Sequence, residues 1–297
     1  MALTLTEAAK LSNNIVLQGV VETIVSESPV LQVLPFIDIN GNALVYNQEA
    51  TLPVANFYNV GDTWAEATPT FTQQTATLAI LGGDADVDQY IQQTRTNIQD
   101  IEAVIIEEKA KSVRRAWEQQ FINGAAGTNA FAGLANLVTN AQTINTGNSG
   151  NGAVLTLSLL DQLIDQVKPG KPDILLVSRR TRRTLTQLVR SSGAFIESEI
   201  NTFGQWQQFY NGIPIGVSDY QPDTETLGSS GAVCSSIYAV QFGEGRVAGI
   251  QGAGGLQVER VGAVQTKDAI RWRIKWYCGL ACFGTLCLAR LNGIIAS

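Results

Sequence analysis

The sequence of residues 94–122 is TRTNIQDIEAVIIEEKAKSVRRAWEQQFI, and this stretch carries the strongest helical pattern in the chain. Its apolar residues recur at the three- and four-residue spacing of one helix face, with charged residues between them. They are Ile98, Ile101, Ile105, Val113, Trp117 and Phe121. Thr94 or Thr96 is the expected N-cap, and Asn123-Gly124 is a C-terminal stop signal. We therefore predict a helix of about 27 residues and about 40 Å, roughly twice the usual length, that can serve as a rigid strut.

Upstream of this helix, a long polar segment separates two strand-like runs, Ala43–Tyr46 and Thr75–Leu81. The segment carries aromatic residues without periodicity, namely Phe57, Tyr58, Trp64 and Phe71. Loops of this length in compact domains are functional or disordered, and this one cannot bury its own aromatic rings. We therefore expect an arm that packs on another subunit. Gly82-Gly83 at its end is a candidate hinge.

Downstream of the helix, the pattern predicts a small α/β subdomain followed by long strands. Its elements are a helix at 156–167, a strand at Ile174–Val177, a Ser178-capped helix through Val189, and strands at Ile213–Val217 and Ser236–Val240. From Leu256 onward the chain is predicted to be β. One strand, about Ala269 to Cys282, exceeds the usual five or six residues, and its residues 271–276 alternate cationic with apolar side chains. Long strands and a long helix together predict an elongated, flat body.

The whole chain has a formal net charge of −6, and its acidic residues are concentrated in the first third. Residues 1–94 hold ten acidic residues and one basic residue, a net charge of −9, and residues 95–297 hold nineteen basic and sixteen acidic residues, a net charge of +3. Opposite charges on two parts suit pairing between parts or between copies, and the alternative is drift in surface composition. The overall acidity argues against tight, non-specific DNA binding, which requires clustered Lys and Arg.

Within the acidic third, Asp84, Asp86 and Asp88 alternate, so that a strand would place all three carboxylates on one face. A calcium loop needs Gly at its sixth position and Glu at its twelfth, where this chain has Gln89 and Arg95. We therefore expect a solvated strand face.

A cluster of arginines occupies the second predicted helix of the subdomain, with Arg190 further along it. It has three interpretations: a solvated helix face, attraction to the acidic arm of a neighbouring subunit, or binding of phosphate or nucleic acid. The candidate inter-subunit contacts are Glu49, Asp62, Trp64 and Glu66 on the arm, with Arg179, Arg180, Arg182 and Arg183 on the helix.

The composition excludes much enzyme chemistry. The chain has no histidine, so Ser-His, Cys-His and His-metal mechanisms are impossible. Gly243-Glu-Gly245 with Gly249 does not fit the dinucleotide fingerprint, and no Gly-x-x-x-x-Gly-Lys occurs. Cys278, Cys282 and Cys287 are expected to be buried thiols. We expect no catalytic, cofactor-binding or metal-binding residue, no secretory signal and no membrane span, and a soluble protein made in a reducing cytoplasm.

The order of these parts resembles the major capsid proteins of tailed phages, which have the Hong Kong 97 type shell fold. Phe131-Ala-Gly-Leu134, just beyond the long helix, is similar to the family's Phe-x-Gly-Leu segment. Gln241-Phe-Gly-Glu244 lies where such proteins leave the axial subdomain. The resemblance implies an α+β capsid fold with an N-terminal arm, an extended β-loop, a long spine helix, a peripheral domain and a small α/β axial domain.

The resemblance also implies the boundaries of the parts. The arm is residues 1–40, and the extended loop is residues 41–82. The peripheral domain consists of residues 83–150 and 240–285, with the spine helix at about 94–122, and the axial domain consists of residues 151–239 and 286–297.

The resemblance also implies partners. Copies of the chain would form pentamers and hexamers in which each loop overlies a neighbour. A separate scaffolding protein is expected unless a leader was removed, with a portal protein and, in some shells, decoration proteins. DNA would be enclosed without sequence-specific binding, in a virion assembled in the host cytoplasm. The loop cross-link of the namesake phage uses a Lys and is absent here, because residues 11–94 contain none.

Two other functions remain open. An encapsulin-type nanocompartment shell has a similar fold and holds protein cargo. A binding module would grip phosphate or nucleic acid through the arginines of 179–190.

Overall fold

The computed structural model describes residues 20, 24, 28–51, 53–95, 101–127, 129–147, 151–193, 197–200, 206–227 and 233–295, which form a mixed α+β fold. The strands are β1 (Phe36–Ile39), β2 (Ala43–Thr51), β3 (Thr70–Thr77), β4 (Ala79–Asp88), β5 (Thr143–Asn145), β6 (Ala153–Val154), β7 (Ile174–Val177), β8 (Glu197–Ile200), β9 (Trp206–Tyr210), β10 (Ile213–Val217), β11 (Glu225–Thr226), β12 (Val233–Val240), β13 (Val247–Ala263), β14 (Ala269–Cys282) and β15 (Leu288–Ile295). The helices are α1 (Gln89–Arg95), α2 (Ile101–Asn123), α3 (Leu134–Leu137), α4 (Leu157–Gln166) and α5 (Arg179–Ser191), with a 3₁₀ turn at Asn140–Gln142.

The long helix α2 packs against a four-stranded sheet of order β1-β13-β14-β4. Trp117 of α2 stacks on Trp276 of β14 with ring centroids 5.9 Å apart, and on Phe121 with centroids 4.9 Å apart. Phe36 of β1 lies 5.4 Å from the ring of Trp276. These buried rings bring large apolar areas together, and they hold the helix on the sheet.

The predicted spine helix is present with different bounds. The structure has α1 and the 23-residue α2 in place of one helix over 94–122, and residues 96–100, including the candidate cap Thr96, lie outside the described residues. Thr94 lies inside α1 and donates to the Tyr90 carbonyl at 2.7 Å, so its predicted role as an N-cap is wrong. The predicted stop is confirmed, because α2 ends at Asn123.

The Phe131-Ala-Gly-Leu134 step packs against the end of α2. Phe131 and Leu134 are buried in the same core as α2. The backbone NH of Gly133 donates to the Gly124 carbonyl at 2.7 Å. A Cβ at Gly133 would collide with the Gln120 carbonyl oxygen, so the close approach requires glycine.

A nine-stranded sheet forms the second body of the fold. Its main order is β5-β15-β12-β7-β10-β9-β8, with β11 added on β12 and β6 on β15. The helices α4 and α5 contribute to its separate apolar core, which includes Leu160, Leu163, Leu185, Ile215 and Ile237. The helix–strand–helix–strand unit was predicted, and its caps are Thr156 on α4 and Ser178 on α5.

The strands β2 and β3 form a two-stranded hairpin outside both sheets. The predicted run Thr75–Leu81 is two strands, since β3 ends at Thr77 and β4 begins at Ala79. The candidate hinge at Gly82-Gly83 is wrong, because both glycines lie inside β4. A Cβ at Gly82 would collide with the Ile274 carbonyl oxygen of β14. This glycine therefore lets two strands approach closely instead of bending the chain.

Part of the stretch predicted as an arm is built into the body. Leu31, Leu34 and Phe36 are buried in the main core, and β1 pairs in parallel with β13. Residues 1–19, 21–23 and 25–27 of the predicted arm lie outside the described residues. The accessible surface of 16213 Å² exceeds the roughly 12,000 Å² expected for a compact monomer of this mass. Within the described ranges, no helix combines the length and apolarity needed to span a membrane.

Candidate inter-subunit surfaces

The loop at the tip of the β2–β3 hairpin exposes large apolar side chains. Residues 53–69 are all exposed except Tyr58, which is half-buried. Phe57 and Val60 are fully exposed, and Trp64 is 78% exposed. An isolated subunit leaves this apolar surface in water, which is unfavourable and typical of an interaction surface.

Local contacts nevertheless order this loop. The rings of Tyr58 and Trp64 stack at 4.6 Å with an interplanar angle of 20°. The Ala65 NH donates to the Tyr58 hydroxyl oxygen at 3.1 Å, and the Asn59 NH donates to Asp62 Oδ2 at 2.6 Å. The tip therefore presents Trp64 in one orientation, which lowers the entropy lost when it is buried by a partner.

The acidic candidates lie along the same hairpin. Glu49 is exposed on β2 opposite Phe71 of β3, Asp62 braces the tip, and Glu66 is exposed beyond Trp64. Within the described part of one chain, no ion pair or hydrogen bond joins Glu49, Asp62 or Glu66 to the arginines of α5. The two predicted charge sets do not meet inside a subunit.

Half of the arginine cluster has partners that the sequence did not predict. Arg179 pairs with both carboxylate oxygens of Asp219, with Nη2 and Oδ2 2.8 Å apart. Arg180 Nε lies 3.5 Å from Asp223 Oδ1 and 3.1 Å from Ser235 Oγ. Cations at a helix N-terminus oppose the helix dipole, and the two aspartates offset that repulsion.

A topological signal for these partners was present in the sequence. β7 and β10 pair in parallel, so the loop after β10, with Asp219 and Asp223, lies beside the start of α5, which follows β7. Parallel strands end at one edge of a sheet, and the predicted helix–strand–helix–strand unit implied this neighbourhood.

Arg182 and Arg183 are the remaining members of the cluster. Both are exposed on α5, and neither has an ion pair among the described residues. The same holds for Arg190 at the other end of the helix. Arg182 and Arg183 are therefore available to an acidic partner at no cost to the subunit's own ion pairs.

Asp84 and Asp86 occupy the predicted strand face, but arginines of β14 bind them. Arg271 Nε lies 2.6 Å from Asp86 Oδ1, and Arg273 Nε lies 2.6 Å from Asp84 Oδ1, each with a second bond from Nη2. The pKa of Asp84 is lowered by the hydrogen bond from Arg273, and that of Asp86 by the bonds from Arg271 and Lys267. The expectation of a merely solvated face is therefore wrong.

These ion pairs reduce the number of acidic residues in the first third of the chain that can pair with another subunit. Asp84 and Asp86 are neutralised inside the subunit, whereas Glu49, Asp62 and Glu66 on the hairpin remain exposed to a neighbour. In the described ranges, no group of three or more Cys, Asp or Glu side chains could hold a metal ion.

A cavity of about 680 Å³ lies between the base of the hairpin and the β14–β15 turn. Charged side chains from three segments line it, namely Glu49, Lys168 and Arg246, together with Cys287. Cys278, Cys282 and Cys287 are all buried, as the sequence predicted.

Comparison with protein families places this geometry in a known class. The phage capsid family matches residues 11–283, which is most of the chain. No curated protein matches the sequence.

Solved structures of shells share the fold at low sequence identity. The SrpI encapsulin of Synechococcus elongatus PCC 7942 matches with a TM-score of 0.70 and 19% identity over 100% of this chain and 98% of its own. The capsid of the native GTA particle matches with a TM-score of 0.64 and 16% identity over 92% and 90%. The cyanophage A-1(L) capsid matches with a TM-score of 0.64 and 13% identity over 90% and 93%.

These matches confirm the Hong Kong 97 type fold predicted from the order of the elements. The family match includes the long helix, the four-stranded sheet and every strand of the nine-stranded sheet except β15, so the chain belongs to the phage capsid family, as a structural subunit of a capsid shell.

Proposed function

We propose that this protein assembles, as pentamers and hexamers of one chain, into the icosahedral head of a tailed double-stranded DNA phage. The observation that carries the proposal is the hairpin tip, where Phe57, Val60 and Trp64 are exposed and held by local contacts. In the proposed shell each hairpin lies on the neighbouring subunit and buries these side chains there. Repetition around the shell adds many modest interfaces into one cooperative structure.

The proposed role involves no catalysis. The chain has no histidine, and the carboxylates of Asp84, Asp86 and Asp219 are held in ion pairs with arginines. Assembly in the host cytoplasm with a separate scaffolding protein and a portal protein belongs to the same proposal, as do decoration proteins. The net charge of −6 suits a shell that encloses DNA without gripping its sequence.

On the mapping proposed for the parts, α2 with β13, β14 and most of β4 is the peripheral domain, and the nine-stranded sheet without β5 is the axial domain. One face of the nine-stranded sheet shares the main apolar core with α2 and the four-stranded sheet, and α4 and α5 pack in a second core on its other face. The hairpin β2–β3 is the extended loop.

An encapsulin-type shell is the second candidate. The observation that favours it is the match to the SrpI encapsulin, which covers the whole of this chain with a TM-score of 0.70. Such a shell would enclose protein cargo in place of DNA.

Electron microscopy of particles purified from the native source tests both candidates. Uniform shells that contain nuclease-protected DNA and a portal vertex support the phage head. Uniform shells with protein cargo and no DNA support the encapsulin. A monomer that never forms shells, alone or with its neighbouring gene products, would contradict both.

A further inference from the structure

Two cysteines face each other where the chain passes from one sheet to the other. Cys282 is the last residue of β14 in the four-stranded sheet, and Cys287 directly precedes β15 in the nine-stranded sheet. Their Sγ atoms are 3.6 Å apart, and they lie 3.1 Å and 2.8 Å from the same Gly284 carbonyl oxygen. A small movement joins them, because a disulfide needs about 2.05 Å between its sulfur atoms.

The surroundings make the two thiols unequal. Cys287 lines the 680 Å³ cavity together with Arg246, so a small molecule entering the cavity reaches it first. The pKa of Cys287 is lowered, chiefly by the hydrogen bond from Cys282 and also by the charge of Arg246. The pKa of Cys282 is raised by the same hydrogen bond and by burial. Cys287 is therefore the thiol that ionises and attacks, and Cys282 is the thiol that resolves.

We propose that Cys282 and Cys287 form a reversible intramolecular disulfide when the protein meets a small peroxide. The Cys287 thiolate attacks one peroxide oxygen, the O–O bond breaks, and hydroxide leaves, which converts Cys287 to a sulfenic acid. The Cys282 thiol then attacks that sulfur, an S–S bond forms, and the sulfenic oxygen leaves as water with the thiol proton. Two electrons pass from the two thiols to the peroxide, which is reduced to hydroxide and water.

The disulfide would fasten the turn that joins β14 to β15, and would thus tie the end of β14 in one sheet to the start of β15 in the other. A protein made in a reducing cytoplasm would carry the open dithiol during assembly, and a particle released into an oxidising medium would carry the closed form. This timing rests on the proposed function as a virion subunit, but the disulfide itself does not.

Mass spectrometry of the full chain tests the proposal. The purified protein is treated with hydrogen peroxide, quenched, unfolded in an alkylating reagent and weighed, before and after dithiothreitol. We expect the number of alkylated thiols to fall from four to two, with the loss of two hydrogens and no added oxygen, and we expect dithiothreitol to restore four.

Fragmentation locates the bond without any variant. Trypsin releases Trp276–Arg290, which contains Cys278, Cys282 and Cys287 in one peptide. A Cys282–Cys287 bond suppresses backbone fragments between these two residues and preserves those between Cys278 and Cys282. Fragments missing between Cys278 and Cys282 would instead overturn the assignment, as would four alkylated thiols after treatment.

Matched variants add an independent check. Cys287→Ala and Cys282→Ala should abolish the loss of two thiols, whereas Cys278→Ala, a buried cysteine on the same strand, should leave it unchanged. Urea unfolding should show a higher midpoint for oxidised wild type than for reduced wild type, and no such shift for Cys287→Ala. Sulfinic or sulfonic acid at Cys287 in place of the disulfide would refute a resolving role for Cys282.

Discussion

Trp117 of α2 and Trp276 of β14 stack with their ring centroids 5.9 Å apart, and both rings are almost completely buried. This contact joins the longest helix to the central strand pair of the four-stranded sheet. Trp117 therefore stabilises the fold of the subunit, whereas Trp64 at the hairpin tip is exposed to solvent.

Trp117→Ala should lower the free energy of unfolding of the subunit by about 3–5 kcal/mol, because it removes a buried ring and leaves a cavity. Urea titration of dissociated subunits, followed by circular dichroism, measures the change. Trp64→Ala in the same assay is the control and should change it by less than about 0.5 kcal/mol. Similar losses for the two variants would contradict the assignment of Trp64 to a surface between subunits.

Trp64→Ala should instead reduce the yield of shells, because an interface anchor is lost at the hairpin tip. The ratio of shells to free subunits after sedimentation measures this effect, and Trp64→Phe should retain part of the yield. Val154→Ala is a matched control, since Val154 is also exposed but lies on β6. If Trp64→Ala assembles and melts as wild type does, Trp64 is not an interface anchor.

Reversal of Arg182 and Arg183 to Glu should impair assembly, and adding Glu49→Lys and Glu66→Lys should partly restore it. These residues have no ion pair among the described residues, so the changes break none inside the subunit. Each exposed pair contributes less than about 1 kcal/mol, and rising salt should weaken the wild-type shell. Shell yield across a salt series measures both effects.

Arg190→Glu on the same helix is the control for this series and should assemble nearly as wild type. A combined variant no better than its parents would show that the two charge sets do not meet. Asp62 is left unchanged because its carboxylate braces the hairpin tip.

Acid should weaken the β4–β14 pairing. The folded-state pKa values of Asp84 and Asp86 are lowered by Arg273 and Arg271, so their stabilisation is present above the unfolded-state pKa of about 3.9 and is lost as pH falls below it. Asp84→Asn with Asp86→Asn should be less stable than wild type at pH 7, and the difference should shrink below about pH 4. Urea unfolding against pH tests this, with the exposed Asp165→Asn as control, and a constant difference down to pH 2 would contradict it.

High pH should lower the free energy of unfolding through the ionisation of Tyr238. Burial raises its pKa to about 12, partly opposed by Arg290, so the unfolded state loses the proton first and stability falls from about pH 10 upward. Its hydroxyl is buried without a hydrogen-bond partner among the described residues. Tyr238→Phe should therefore match or exceed wild type at pH 8 and show a flatter loss to pH 11, whereas Tyr277→Phe should follow wild type. A Tyr238→Phe profile as steep as wild type would rule this out.

The elements that local pattern defines were predictable, and the contacts between distant segments were not. The strand Ala269–Cys282 was predicted with its observed bounds, because the cationic and apolar alternation of Arg271–Trp276 continues into an apolar run. The preceding strand begins at Val247 and not at Leu256, because the glycines of residues 252–255 interrupt its pattern at a register shift between Gln251 and Leu256.

In the candidate surfaces, too, the elements were predictable from local sequence pattern, whereas contacts between distant segments were harder to predict. The exposed hairpin and the arginine helix follow from composition and periodicity. The pairing of Asp86 with Arg271 depends on strand order and register, which short-range pattern does not encode. The pairing of Arg179 with Asp219 follows from the parallel order of β7 and β10, and only the topology of the helix–strand–helix–strand unit indicated it.

The hairpin joins the body at two points, through residues 40–42 between β1 and β2 and through the single residue Leu78 between β3 and β4. β4 then runs antiparallel to β14 from Ala79 opposite Cys278 to Asp88 opposite Ala269, with two arginine–aspartate pairs beside its backbone bonds. When a neighbouring subunit pulls on the hairpin, as in a shell under internal pressure, the force reaches the body along β4 and, at the other end of the hairpin, along β1. Both strands that take up this mechanical tension are paired along their length with strands of the sheet beneath the long helix.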